Sequence, residues 1–211
     1  MDDFYKMNNE HTNNMCYERI DNDTVCMATA VLWASRSKDP SSQVGACFVN
    51  DQGRIISIGY NGAPNNWKDE EFPWGRNTME GKNINNTKYP YVIHAEMNAI
   101  LNYMGESRDF IGSTVFVTLF PCNECAKFLA QRGIKRVIYL SDKYKLSPDK
   151  YESEFDSDPN IASKRIFEYC GIEYKSFEEI NKNSAELLKL SLEPDKGIEM
   201  VRAKDMRRKR S

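Results

Sequence analysis

His94-Ala95-Glu96 and Pro121-Cys122-Asn123-Glu124-Cys125 hold the residues of this chain best suited to chemistry. One imidazole and two thiolates make a suitable ligand set for Zn2+, and three protein ligands leave the fourth position for water. The i, i+3 spacing brings both sulfurs to one side of a helix. The free N–H groups and dipole of a first helical turn stabilise thiolates. A water on such an ion, its pKa lowered towards ~7, needs a group to move its proton. Glu96 follows His94 in the same first turn, so its carboxylate reaches the open position without occupying it. A lone Cys-x-x-Cys also suits a redox pair, and a structural zinc site requires a fourth Cys or His at motif spacing; the upstream His-Ala-Glu favours a catalytic ion.

The elements around these motifs follow from periodicity. Val25, Ala28, Val31 and Leu32 recur at helical spacing, which predicts a helix over Thr24 to Lys38 with Thr24 as N-cap and Asp39-Pro40 as its stop. Val44 to Asn50 and Arg54 to Tyr60 read as strands of a hairpin, with Gly53 taking the positive φ. Asn61 to Pro90 is a long polar loop carrying Trp67 and Trp74. Strand and helix then alternate: a helix over His94 to Met104, a strand over Thr114 to Phe120, a helix over Cys122 to Arg132, a strand over Lys135 to Leu140. A helix over Ile161 to Cys170 and a short strand over Ile172 to Lys175 complete the series. Such alternation implies parallel strands added to the antiparallel hairpin. The expected product is an α/β fold, a mixed sheet of about five strands with helices on both faces.

The chain has 211 residues, 40% hydrophobic and 28% charged, which suits one packed α/β domain with something left over. No stretch approaches about eighteen consecutive apolar residues, and the N-terminus lacks the basic-then-apolar layout of a secretory signal, so a cytoplasmic protein with no membrane partner is expected. The net charge of −2 disfavours a polynucleotide ligand. Six cysteines at this length, with no secretion signal, point to reduced thiols rather than a disulfide scaffold. Residues 1–22 read as an irregular extension, 23–176 as the catalytic domain, and 177–211 as a C-terminal extension. That extension ends in a basic cluster from Arg202 to Arg210, either a solvated tail or a nuclear-localisation signal.

His-x-Glu followed by Pro-Cys-x-x-Cys is the pattern of zinc nucleobase deaminases. Longer stretches resemble the deoxycytidylate (dCMP) deaminases in particular. These are Arg36 to Pro40 running into Gln43 to Ala46, Gly59 to Gly62, Lys88 to Tyr91 leading to His94 through Ile100, Thr118 to Lys127, and Ser141 to Tyr144. The resemblance covers roughly Val25 to Tyr174. It implies a three-layer α-β-α cytidine-deaminase-like fold with a mixed five-stranded sheet. It also implies hydrolysis of dCMP to dUMP and ammonia in the supply of thymidylate, with Glu96 shuttling protons between water, the ring nitrogen N3 and the leaving amine.

Further assignments rest on the same resemblance. Asn61 matches a contact to the sugar 3′-hydroxyl, although a turn residue after a strand reads equally well there. Ser37, Lys38 and Tyr144 resemble contacts to the 5′-phosphate, and Ala95 lies in the zinc motif itself. Family members are typically hexamers activated by dCTP, with Mg2+ accompanying the nucleotide, and inhibited by dTTP. Gly59, Tyr60, Gly62 and Asn98 resemble the effector site, where Trp67 and Trp74 could also pack. One zinc per subunit is expected, because His11, Cys16, Cys26, Cys47 and Cys170 lack ligand spacing; the last three read as small residues on apolar faces. Two other substrates stay open, dCTP in place of dCMP and a single-stranded polynucleotide, as does a catalytically silent zinc protein, against which the intact Glu96 argues.

Overall fold

The computed structural model describes residues 20–76, 83–142 and 160–180. Tyr144, the acidic stretch Asp149 to Asp158, His11, Cys16 and the basic C-terminal cluster lie outside those residues. Helix α1 spans Asn22–Ala34, followed by the hairpin strands β1, Gly45–Val49, and β2, Ile55–Tyr60. After the long loop come α2, Ala95–Leu101, β3, Thr114–Leu119, α3, Asn123–Gln131, and β4, Arg136–Ser141. Helix α4, Ile161–Tyr169, β5, Glu173–Ser176, and the single-turn α5, Phe177–Ile180, complete the order.

The five strands form one mixed sheet in the order β2-β1-β3-β4-β5. β1 runs antiparallel to both β2 and β3, whereas β3, β4 and β5 are parallel. All of β1 is buried because the sheet is covered on both faces. Ala46 and Phe48 point into a core shared with Ala95, Ala99 and Ile100 of α2, Ala126 and Leu129 of α3, and Phe167 of α4. Cys47 and Val49 point the other way, onto Cys26, Met27 and Ala30 of α1 and Phe177 of α5. The expected three-layer α-β-α arrangement is therefore present. Packing runs past residue 176, since Phe177 belongs to the second core. Among the described residues no helix is long and apolar enough to cross a membrane.

Several local expectations are corrected. The N-cap of α1 is Asp21, not Thr24: its carboxylate accepts from the Thr24 backbone N–H at 2.8 Å and from the Thr24 hydroxyl at 2.6 Å. The helix closes at Ser35 instead of running to Asp39-Pro40. There the Ser35 hydroxyl turns back to the Leu32 carbonyl at 2.7 Å, and Arg36 and Ser37 bond three residues back in tight turns. Helix α2 ends at Leu101, with Asn102 as its C-cap, so it stops short of Met104. Cys26 and Cys47 are buried, but Cys170 is the exposed C-cap of α4, whose buried face is carried by Ser163 and Phe167. Gly53 takes a φ of 74° at the hairpin, as the Asp51-Gln52-Gly53 turn requires.

The long loop holds itself together. Trp67 meets Phe72 and Tyr91 edge-on at centroid distances of 5.1 and 5.2 Å, and Phe72 lies 4.4 Å from Trp74. Trp74 also donates its indole N–H to the Asp69 carbonyl at 2.9 Å. These aromatics anchor the loop to itself. Lys88, near the loop's end, gives its backbone N–H to the Gly75 carbonyl at 3.1 Å. Gly62 and Ile93 then form a two-bond bridge that sets the chain direction into His94.

Candidate active site

Two helix N-termini deliver the chemical groups. His94 is the N-cap of α2 and Cys122 the N-cap of α3, each in extended backbone and without a side-chain cap bond of its own. Cys125 lies in the first turn of α3. Cys122 Sγ and Cys125 Sγ lie 3.3 and 3.4 Å from His94 Nδ1. Tetrahedral zinc with bonds of ~2.3 Å to sulfur and ~2.0 Å to nitrogen separates such ligand atoms by roughly 3.5 Å, so the donors already stand at ligand spacing. Among the described residues this trio is the metal-ligating cluster, its ligand atoms all within 4.8 Å of one another.

The electrostatics agree with a cation site. Contact with Cys122 raises the His94 imidazole to about 9, against the opposing effect of burial. The Cys122 thiol falls to about 4, held down first by Cys125, with burial opposing and His94 assisting. Cys125, facing the Cys122 sulfur and buried, is pushed up. The imidazole and the two sulfurs shift one another's proton affinity across a single small volume, and a divalent cation binding there would take the place of their protons. The donor set fits zinc.

Glu96 is 4% exposed. Burial pushes its carboxyl up, with Cys122 adding to the effect and His94 opposing it. A carboxyl poised in this way beside a metal cluster is suited to hold and release a proton.

The cluster opens into a cavity of about 240 Å³ whose wall includes His94, Ala95, Glu96, Phe120 and Cys122. Asn61 is in the wall and is also the turn residue it resembled. Its Oδ1 accepts from the Val44 N–H at 2.8 Å, and its Nδ2 donates to the Ser42 carbonyl at 2.9 Å and to Asp39 at 3.2 Å. Ser37 and Lys38 are not part of the wall. Ser37 is buried beside it, accepting the Asp39 N–H at 3.2 Å, and Lys38 makes an exposed 2.7 Å ion pair with Asp69. The charged and polar residues that do line the cavity, and to which sequence reading gave no role, are Asp39, Ser42, Arg76, Lys88, Tyr89 and Asn160. Lys88, Tyr89 and Asp39 stood inside conspicuous segments, but their convergence on one cavity is a tertiary fact.

A second cavity, of about 560 Å³, lies between α1, β2 and the C-terminal end of α2. Tyr60 and Asn98 line it together with Trp33, Asn65, Asn102 and Tyr103, and the Asn98 Oδ1 accepts the Tyr60 N–H at 3.3 Å. Trp33 stacks on Tyr60 at 6.0 Å. Gly59 and Gly62 are placed elsewhere, Gly59 under α2 and Gly62 in the bridge to Ile93.

Known proteins are similar to this chain in sequence and fold. The profile of the cytidine and deoxycytidylate deaminase zinc-binding region matches residues 20–141. The deoxycytidylate deaminase of Homo sapiens is 50% identical over 151 residues, 72% of this chain and 76% of that one. The phage T2 deoxycytidylate deaminase is 31% identical over 182 residues, covering 67% of this chain and 95% of its own. The apo crystal structure of dCMP deaminase from the cyanophage S-TIM5 superposes with a TM-score of 0.53 at 25% identity, over 76% of this chain and all of that one. With a profile match through both metal motifs and the same layered fold, this chain is a deaminase and belongs to the zinc-binding cytidine and deoxycytidylate deaminase family.

Proposed function

We propose that this protein hydrolyses dCMP: dCMP and water give dUMP and ammonia. The observation that carries the reading is the convergence of Glu96 on the His94, Cys122 and Cys125 cluster inside a nucleotide-sized cavity. The extensive identity to proteins named deoxycytidylate deaminases supports dCMP as the substrate. Zinc held by those three residues would lower the pKa of water and supply a nucleophile at neutral pH. Glu96 does the proton work: it takes a proton from water and delivers it to N3 of the cytosine ring as C4 gains a hydroxyl, then takes the proton of that hydroxyl and passes it to the amine, which leaves as ammonia while the C4 carbonyl forms. Its burial keeps the shuttled proton from bulk solvent, and Phe120 and Leu119 provide apolar wall for the base.

The second cavity is the proposed effector site for dCTP, accompanied by Mg2+, and for dTTP. Tyr60 and Asn98 support that reading, since they line it and resemble the family's effector residues. The exposed Met104 on its rim supports an oligomer in which a neighbouring subunit covers that edge, a hexamer by resemblance. A role in thymidylate supply follows from the same resemblance. Rates of ammonia release from dCMP and from dCTP, each with and without Mg2+-dCTP or dTTP, test substrate and regulation together. Turnover of dCMP, raised by dCTP and suppressed by dTTP, is expected; turnover of dCTP alone would replace the substrate.

A further inference from the structure

The outer side of α1 carries apolar side chains that neither core uses up. Val25, Ala28 and Leu32 recur at i, i+3 and i+7, which puts them on one face of the helix. Leu32 is 63% exposed and Val25 44%. A single exposed leucine is ordinary, but here the apolar positions run together along the helix. The stripe is also continuous with the second core, because Ala28 and Val31 pack half-buried against the edge of that core.

The neighbours of α1 fix which way that edge faces. Trp33 stacks on Tyr60, and the Arg36 guanidinium lies 5.9 Å over the same ring, so this flank of α1 looks towards β2. Helical geometry puts Ala28 and Val31 on the flank away from Trp33, towards β4. Helix α5 is on that side: it packs on β4 and β5, and its Phe177 and Ile180 join the core that Ala28 and Val31 border. The described residues end at Ile180, so the chain leaves the fold beside the stripe.

The sequence that follows is suited to cover it. Ala185, Leu188 and Leu192 repeat at the spacing of one helical face, Leu187 and Leu190 add apolar surface, and Pro194 comes after them. Residues 181–184 span at most about 14 Å when extended, more than the ~10 Å diameter of a helix, so Ala185 reaches the outer side of α1 from Ile180. Residues 1–19, which adjoin the other end of α1, are rich in Asn and Asp and lack apolar periodicity.

We propose that the segment Ala185 to Leu192 seats on the outer face of α1 and covers Val25, Ala28 and Leu32. Removal of leucine side chains from water drives the contact. The segment thereby clamps a helix whose opposite flank, through Trp33, walls the second cavity.

The test uses full-length zinc-loaded protein carrying Leu32→Asp, Leu188→Asp or both, followed by thermal unfolding and sedimentation velocity. Leu32 points outward from the described fold, so an aspartate there leaves the two cores intact, and retained zinc confirms it. Each single substitution is expected to lower Tm by about 4 °C or more. The double substitution should lower it no further than the larger single effect, because two residues in contact lose the same interaction once. Amides of residues 185–192 should be protected from hydrogen exchange in the wild type and exchange faster in Leu32→Asp. Silence of either single substitution, or losses that simply add, overturns the proposal. A change of sedimentation with Leu32→Asp but not with Leu188→Asp also overturns it and puts a second copy of the chain on this face.

Discussion

Gly59 lies directly beneath Ala99, at the point where β2 supports the helix that carries the metal histidine. A Cβ on Gly59 would come to 2.9 Å from the Ala99 Cα and nearer still to the Ala99 nitrogen and the Ala95 carbonyl oxygen. Both partners are backbone, so no side chain can swing aside. The glycine lets α2 lie flat on the sheet, and through α2 it sets the height of His94 and Glu96 above β2.

Gly59→Ala should therefore act on the metal site as well as on stability. Overpacking of this kind costs about 1–3 kcal/mol, and the helix must lift or tilt to relieve it. The expected result is a lower Tm together with weaker zinc retention during dialysis against a chelator. A variant with unchanged Tm and zinc affinity would show that α2 is not seated by this contact.

The buried Asp39 carboxylate predicts an acid-sensitive contribution to stability. Burial alone would raise its pKa, but the Lys88 ammonium and the Ser41 and Ser42 N–H groups hold it below the usual carboxylate value. A group depressed in the folded state stabilises above its unfolded pKa of ~3.9 and loses that contribution as pH falls through the depressed value. The Tm difference between the wild type and Asp39→Asn should be full above about pH 5 and shrink steadily below pH ~4. Breaking one partner of such a pair costs about 3–5 kcal/mol at neutral pH. A Tm difference independent of pH would contradict the assignment.

Zinc should be both stoichiometric and structural for the two helix starts it joins. Metal analysis of purified protein should give about one zinc per chain, the number that one trio of donors can hold. Its removal should abolish turnover and lower Tm, and restoring zinc should recover both. Cys125→Ser should retain little metal, because the hydroxyl replaces a soft thiolate in a buried position. A stoichiometry near two would mean a further site.

The groups of the candidate site were legible because their spacing is local. His94 with Glu96 and Cys122 with Cys125 sit within single helical turns, so sequence distance is nearly spatial distance. The sheet was legible for a similar reason: Val115, Phe116, Val117, Val137 and Ile138 mark central strands by type alone. The other end of the cavity was not. Asp39 and Lys88 are separated by 49 positions, and only the tertiary fold brings them together. Lys38 beside Asp39 gave an equally good cationic signal, yet it turns outward to Asp69. Trp67 and Trp74 gave a strong aromatic signal whose meaning depended on Phe72 and Tyr91, partners that no periodicity marks in an irregular loop.

The most direct test of the account is the rate of dCMP deamination by zinc-loaded wild type and by Glu96→Gln, with the zinc content of both measured in the same preparations. Glutamine keeps the size and polarity of the side chain but cannot shuttle a proton. Full zinc occupancy in both proteins, with dUMP and ammonia formed by the wild type and a rate at least ~10²-fold lower in the variant, is the predicted result. A wild type that binds zinc but leaves dCMP intact, or a Glu96→Gln protein that turns it over at a comparable rate, would contradict it.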